Sequence, residues 1–283
     1  MPFRVPIEEA KKTFEQFEFV SELTPSEQKA AFHVRDADGQ DLCLKLISPD
    51  YEIDRLNREI KALQEIAHPN VVRFEEYTYS SKGGNQLHYI VEEFIEGKDL
   101  AEHLQEGEPW NRPRVAKFFV ELSDGLESLR QANVVHRDLK PNNVRVRTSG
   151  SPVIIDFGLV RHLSLPHLTK TEQGAAIGTP LYFAPEQFEG TKYDIDHRTD
   201  LFAVGILIYQ ALIGNHPFNT SGISWADLKE AVCEGNSHFE SSAFSGLPGR
   251  WQVVVRRLLA KSRAKRFATA QQLRDLLHKL EEV

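Results

Sequence analysis

The sequence predicts an α+β fold in two unequal lobes, a small five-stranded antiparallel β lobe carrying one helix and a larger, mainly α-helical lobe. Three observations predict it. Short apolar runs bounded by turn residues dominate the first third of the chain. One stretch with helical spacing interrupts them, and beyond Gly97 apolar residues recur at helical spacing to the end.

Phe17 to Leu23, Ala30 to Arg35 and Asp41 to Ile47 read as strands, and Asp38-Gly39 between the last two is a tight-hairpin signal, so a three-stranded meander is expected. After Ser48-Pro49 the period changes: Ile53, Leu56, Ile60, Leu63 and Ile66 lie on one helical face, and the helix should end before His68-Pro69. Val71 to Tyr79 and Gln86 to Phe94 complete the strands, joined by the turn-rich Ser80 to Asn85. In the second lobe Val115, Phe118, Phe119, Leu122, Leu126 and Leu129 form an amphipathic stripe. Leu201 to Ile213 is apolar nearly all round, as a helix buried within a lobe should be. Val253, Leu258 and Leu259, then Leu273, Leu276, Leu277 and Leu280, mark two more helices. Val144 to Arg147 and Val153 to Ile155 read as short strands around a Thr148 to Ser151 turn. The whole chain, 1–283, reads as one domain with a first lobe over about 10–94, a hinge at about 93–97 and a second lobe over about 98–283.

At 41% hydrophobic and 27% charged residues the chain is too apolar for disorder and long enough for a large core. Its net charge of -7 supplies no basic field, so neither nucleic acid nor an anionic membrane surface is an expected partner. Cys43 and Cys233 share no ligand or disulfide spacing, and the longest apolar run contains Gln210 and is too short to span a bilayer. A soluble protein in the reducing cytoplasm is the expectation.

Chemistry concentrates in a few segments. His136-Arg137-Asp138-Leu139-Lys140-Pro141-Asn142-Asn143 holds an Asp and, five residues on, an Asn; a helix-to-strand turn rich in Asp and Asn would also explain it in isolation. Val153-Ile154-Ile155-Asp156-Phe157-Gly158 follows, its Asp thirteen residues past Asn143 and preceded by an apolar strand. Upstream, alternation in Leu42-Cys43-Leu44-Lys45-Leu46 sends Lys45 to an inner face. Gly178-Thr179-Pro180-Leu181-Tyr182-Phe183-Ala184-Pro185-Glu186, Thr199-Asp200-Leu201 and Ala264-Lys265-Arg266-Phe267 complete the set.

Together these segments resemble, in order, the elements of the eukaryotic-type (Hanks-type) serine/threonine protein kinase domain, over about Phe17 to Leu280. The resemblance implies transfer of the ATP γ-phosphate to Ser or Thr hydroxyls of proteins, with Mg2+, or Mn2+ in its place, as metal. It implies that Asp138 accepts the hydroxyl proton, that Lys140 contacts the γ-phosphate, and that Asn143 and Asp156 hold the metal. Lys45 would meet the α/β-phosphates, paired with a helix carboxylate for which Glu59 is the best match and Glu52 and Glu65 are alternatives. Glu93, Ile95, Asp99 and Ser26 fall at further nucleotide-contacting positions. Glu186 with Arg266, and Asp200, fall at structural positions. Thr179 lies near the catalytic Asp in serine/threonine kinases. Arg137 could pair with a phosphate on the segment Leu159 to Ile177, where Thr169 and Thr171 are the first choices and Ser164 a third. Further domains of a longer polypeptide are compatible with this reading.

Two departures stand out. Between the first two strands the family carries a glycine-rich loop, whereas Leu23-Thr24-Pro25-Ser26-Glu27-Gln28-Lys29-Ala30-Ala31-Phe32 has no glycine. Backbone amides there lose the close approach that glycine gives to phosphates. Ser26 and Lys29 are partial substitutes, or the turn simply stays clear of ATP. Glu92 falls where the back of the adenine pocket is guarded, and a carboxylate buried there is costly unless paired. It pairs with Lys45 or a polar neighbour, or the alignment is off by one. These departures keep a second class open, a pseudokinase acting as a nucleotide-binding or scaffolding module. A small-molecule kinase is a third, opposed by the Gly178 to Glu186 segment that receives a peptide.

Overall fold

The computed structural model describes residues 2–25, 29–49, 60, 64–80, 87–104, 109–156, 181–188, 195–218 and 222–281. The chain divides into two compact units, Met1–Glu96 and Gly97–Val283.

The first unit is a five-stranded antiparallel sheet of β1 (Glu18–Glu22), β2 (Lys29–Arg35), β3 (Asp41–Ile47), β4 (Phe74–Ser80) and β5 (Leu87–Glu93), in the order β1-β2-β3-β5-β4. Asp36 shapes the β2–β3 turn: its carboxylate accepts from the N–H of Asp38 (3.0 Å) and Gln40 (2.8 Å), and Gly39 takes φ +79°. With β2 on one side and β5 on the other, β3 is central, and Leu42 to Ile47 are all buried. A short helix precedes the sheet, α1 (Ile7–Thr13), where the sequence reading began the lobe only near residue 10. Ala10 and Phe14 bury against Phe32, Leu44 and Tyr89, with Phe14 edge-on to Tyr89 at 4.8 Å between ring centres. Seven residues are too few for a strong periodic signal, and packing rather than propensity fixes this helix. Of the helix expected over residues 53–66, Ile60 is described and buried; the rest lies mainly outside the described residues.

The second unit begins with β6 (Gly97–Asp99), which pairs with β7 (Val144–Arg147), itself paired with β8 (Pro152–Ile154). Gly97 is required there, with φ +139° and Val146 O only 2.0 Å from where a Cβ would sit. Helices α2 (Leu100–Leu104), α3 (Arg112–Gln131), α4 (Pro185–Phe188), α5 (His197–Ile213), α6 (Trp225–Cys233), α7 (Ser242–Ser245), α8 (Gly249–Leu258) and α9 (Ala270–Glu281) make up most of the rest. Helix α3 starts where Asn111 accepts from the Arg114 N–H at 2.9 Å. Helix α5 is capped by Asp196 at one end and by Gly214 at φ +86° at the other, and nearly every residue between is buried. Gly205 lets α8 pack closely on it, since a Cβ there would stand 2.7 Å from Leu258 Cβ.

Candidate active site

Four chain segments of the second unit converge on the loop His136–Asn143. The strand pair β7–β8 flanks it, and Ile155 N–H donates to Asn143 O at 3.0 Å, tying the end of β8 to the end of the loop. Asp200, at the start of α5, accepts from the backbone N–H of His136 and Arg137, each at 2.8 Å. Burial pulls the Asp200 carboxyl up, against the downward pull of these bonds and the nearby His136 and Arg137. His136 is fully buried. Its Nδ1 accepts from Asp138 N–H at 3.3 Å, so its Nε2 carries the proton toward Ile155 O at 3.0 Å.

Arg137 has φ +65°, and Asp156 has φ +52°. Both lie in a region that non-glycine residues rarely occupy, where strain persists only if the surroundings over-determine it. For Arg137 the surroundings do: Asp200 holds its N–H, and Gln187 Nε2 donates to its carbonyl at 2.8 Å. Gln187 is a positioning residue that the sequence reading passed over. It directly follows Glu186, and its Oε1 also accepts from Ala184 N–H at 3.0 Å.

The held loop presents three polar side chains together. Lys140 Nζ lies 2.8 Å from Asp138 Oδ2, and Asn143 Nδ2 donates to Asp138 O at 2.7 Å and to Asp138 Oδ2 at 3.2 Å. Asp138 and Lys140 are half-buried, so the pair can still meet a substrate. Asn143 spends its amide hydrogens on Asp138, which leaves its Oδ1 as the side-chain acceptor. Together with the Asp156 carboxylate this is a hard-oxygen donor set that fits Mg2+, a cation that keeps several of its own waters and needs few protein ligands. Among the described residues no cluster of three or more His, Cys, Asp or Glu could hold a metal.

Glu186 and Arg266 meet as a fork-to-fork ion pair, Nη1 to Oε1 at 2.7 Å and Nη2 to Oε2 at 2.8 Å. Thr199 Oγ1 adds a bond to Glu186 at 2.8 Å, and the carbonyls of Ala260, Arg198 and Lys261 take the other guanidinium hydrogens. Asp99 accepts from Arg145 Nη1 at 2.9 Å, beside a bond from Arg145 to Gly97 O.

In the first unit, strand register brings Lys45 and Glu92 together. Cys43 faces Glu92 and Lys45 faces Ile90 across β3 and β5, so Lys45 and Glu92 share a face as diagonal neighbours. Lys45 Nζ lies 2.5 Å from Glu92 Oε2, with both side chains almost wholly buried. Of the two pairings open at Glu92, the one with Lys45 is present. Glu93 accepts from Arg73 N–H at 2.9 Å and returns its own N–H to Arg73 O at 2.9 Å, while Ile95 is buried. Ser26, Glu59, Thr169, Thr171 and Thr179 lie outside the described residues.

The arrangement defines a class: residues 29–277 match the protein kinase domain family, and the chain belongs to it. Among curated proteins it is 29% identical, over 82% of its own length and 34% of theirs, to a probable serine/threonine-protein kinase PknB of Bifidobacterium longum. It is 30% identical to the serine/threonine-protein kinase pkn3 of Myxococcus xanthus, covering 80% of this chain and 42% of that one. To the serine/threonine-protein kinase PknB of Mycobacterium tuberculosis it is 26% identical, over 83% and 38%. The chain thus spans from about a third to just over two fifths of the length of these relatives.

Proposed function

We propose that this domain transfers the γ-phosphoryl group of ATP to serine or threonine hydroxyls of protein substrates, with Mg2+ or Mn2+ as metal. The observation that carries it is the cluster in which Lys140 and Asn143 both donate to Asp138 on a loop anchored by Asp200. In this reading the Asp138 carboxylate takes the hydroxyl proton, and Lys140, held beside it, faces the transferred phosphate and neutralises its charge. Asn143 and Asp156 would hold the metal, which when bound draws the phosphate oxygens together and spreads their negative charge. Lys45 would meet the inner phosphates, and Glu93, Ile95 and Asp99 keep the nucleotide-contacting roles that the family resemblance implies. The names of the relatives support the serine/threonine class. A cytoplasmic setting is part of the same proposal, supported by two cysteines that form no disulfide.

Arg137 also supports a regulatory reading. Its Nε is buried without a hydrogen-bond partner among the described residues, and a phosphate on Thr169 or Thr171 would supply one.

Incubating the purified chain with labelled ATP, Mg2+ and a generic basic protein should give transfer and autophosphorylation. Asp138→Asn should lower the rate by at least about 100-fold, and removal of the metal by chelation should stop it until Mg2+ or Mn2+ is restored. Transfer by Asp138→Asn at the unsubstituted rate would refute the assignment. Nucleotide binding without any transfer would favour the scaffolding alternative.

A further inference from the structure

The Lys45–Glu92 contact is a poor device for stability. Two charges are withdrawn from water in the middle of a sheet, and an apolar pair of the same volume would serve the fold as well or better. The contact is better explained by what it does to the lysine. A buried ammonium without a counter-charge loses its proton or swings away. Glu92 offers such a counter-charge from the strand next to Lys45, with the two backbones joined by the β3–β5 ladder.

We propose that Glu92 is the positioning residue of Lys45, supplying from within the sheet the carboxylate that keeps the ammonium charged and aimed for the nucleotide phosphates. This rests on the kinase reading above and deepens it. An ammonium has three rotatable donors, so it can keep one on Glu92 while another meets a phosphate oxygen. The glycine-free turn raises the value of that arrangement. The sequence between β1 and β2 holds Pro25 and no glycine, the residue that lets backbone amides approach phosphates most closely, so on this reading more of their binding would fall to Lys45.

The test is a double-substitution cycle on the full chain, reading the affinity for Mg2+ and a non-hydrolysable ATP analogue by titration calorimetry. Glu92→Gln should weaken binding about tenfold, the worth of one charge-assisted hydrogen bond. In a Lys45→Met background the same substitution should change nothing further, because Glu92 acts through the lysine. In steady state, Glu92→Gln should raise KM for ATP while KM for the protein substrate stays put. That split would not follow from general loosening of the fold. If Glu92→Gln does not fold, as judged by its melting transition, Glu92→Asp replaces it, with a smaller loss expected. Unchanged or tighter binding by the Glu92 variant, or equal losses in both backgrounds, would overturn the proposal while leaving the kinase reading intact. Absence of any nucleotide binding by the unsubstituted chain would bring down both.

Discussion

Among the described residues each unit holds an ion pair buried on both sides, and the two are built on opposite plans. In the helical unit the planar guanidinium of Arg266 meets Glu186 at two points, and its remaining hydrogens go to backbone carbonyls and the carboxylate to Thr199. In the sheet unit a compact ammonium meets one carboxylate oxygen. Arg cannot shed its charge and its fork matches a carboxylate, whereas Lys is a point charge that can turn or lose its proton. The first pair locks α4 to the segment before α9. The second leaves its cation able to serve something else. A buried charge pair is thus a fastener or a tool according to which cation it uses.

That contrast can be broken experimentally. The largest effect is expected from Arg266→Ala, which strands Glu186 in the interior and should cost about 3–5 kcal/mol in denaturant unfolding. Glu92→Met should cost less, roughly 2–3 kcal/mol, since Lys45 can shed its proton or reorient. The double variant Lys45→Met with Glu92→Met should regain most of that loss in stability and none of the nucleotide binding. If the Arg266 and Glu92 variants unfold at equal denaturant, the distinction between the two pairs is lost.

A third expectation concerns pH. Burial pushes His216 down to about 4 from its usual 6.5, while its Nδ1 accepts from Phe218 N–H at 3.2 Å and its Nε2 faces Leu181 O at 3.1 Å. The unfolded chain therefore binds a proton at this residue at higher pH than the folded chain does. The stability it contributes is full above pH 6.5 and is lost as pH falls from 6.5 to 4, about 3 kcal/mol in all. His216→Asn should reduce the slope of the melting temperature across that range, leaving the share of His238, which burial also pushes down to about 4, and an unchanged slope would refute it. The smallest effect is at the start of α3, where Asn111→Ala should cost about 1 kcal/mol in thermal unfolding through the lost cap.

Much of the fold could be read from the sequence because its signals are local. Asp41 to Ile47 and Val144 to Arg147 match β3 and β7 residue for residue, since alternation and flanking turns bound them. Helix α5 begins at His197, before the apolar run at Leu201, because its first turn is set by the Asp196 cap. The strand β6 escaped notice: three residues with Gly97 at the front carry no pattern, and only pairing with β7 makes them a strand. Helix α1 escaped for a similar reason.

The sequence by itself determined which groups this protein owns: an Asp, a Lys and an Asn at fixed spacing on one loop, a second Asp after a buried strand, and no glycine where phosphates would be covered. Spacing along the chain suffices for that, because a loop of eight residues keeps its members near one another. Only the tertiary structure decided who holds whom. Glu92 is 47 residues from Lys45, and Arg266 is 80 from Glu186. Gln187 is 50 from Arg137. Strand register and helix packing select those partners, and neither is written in any short stretch of residues.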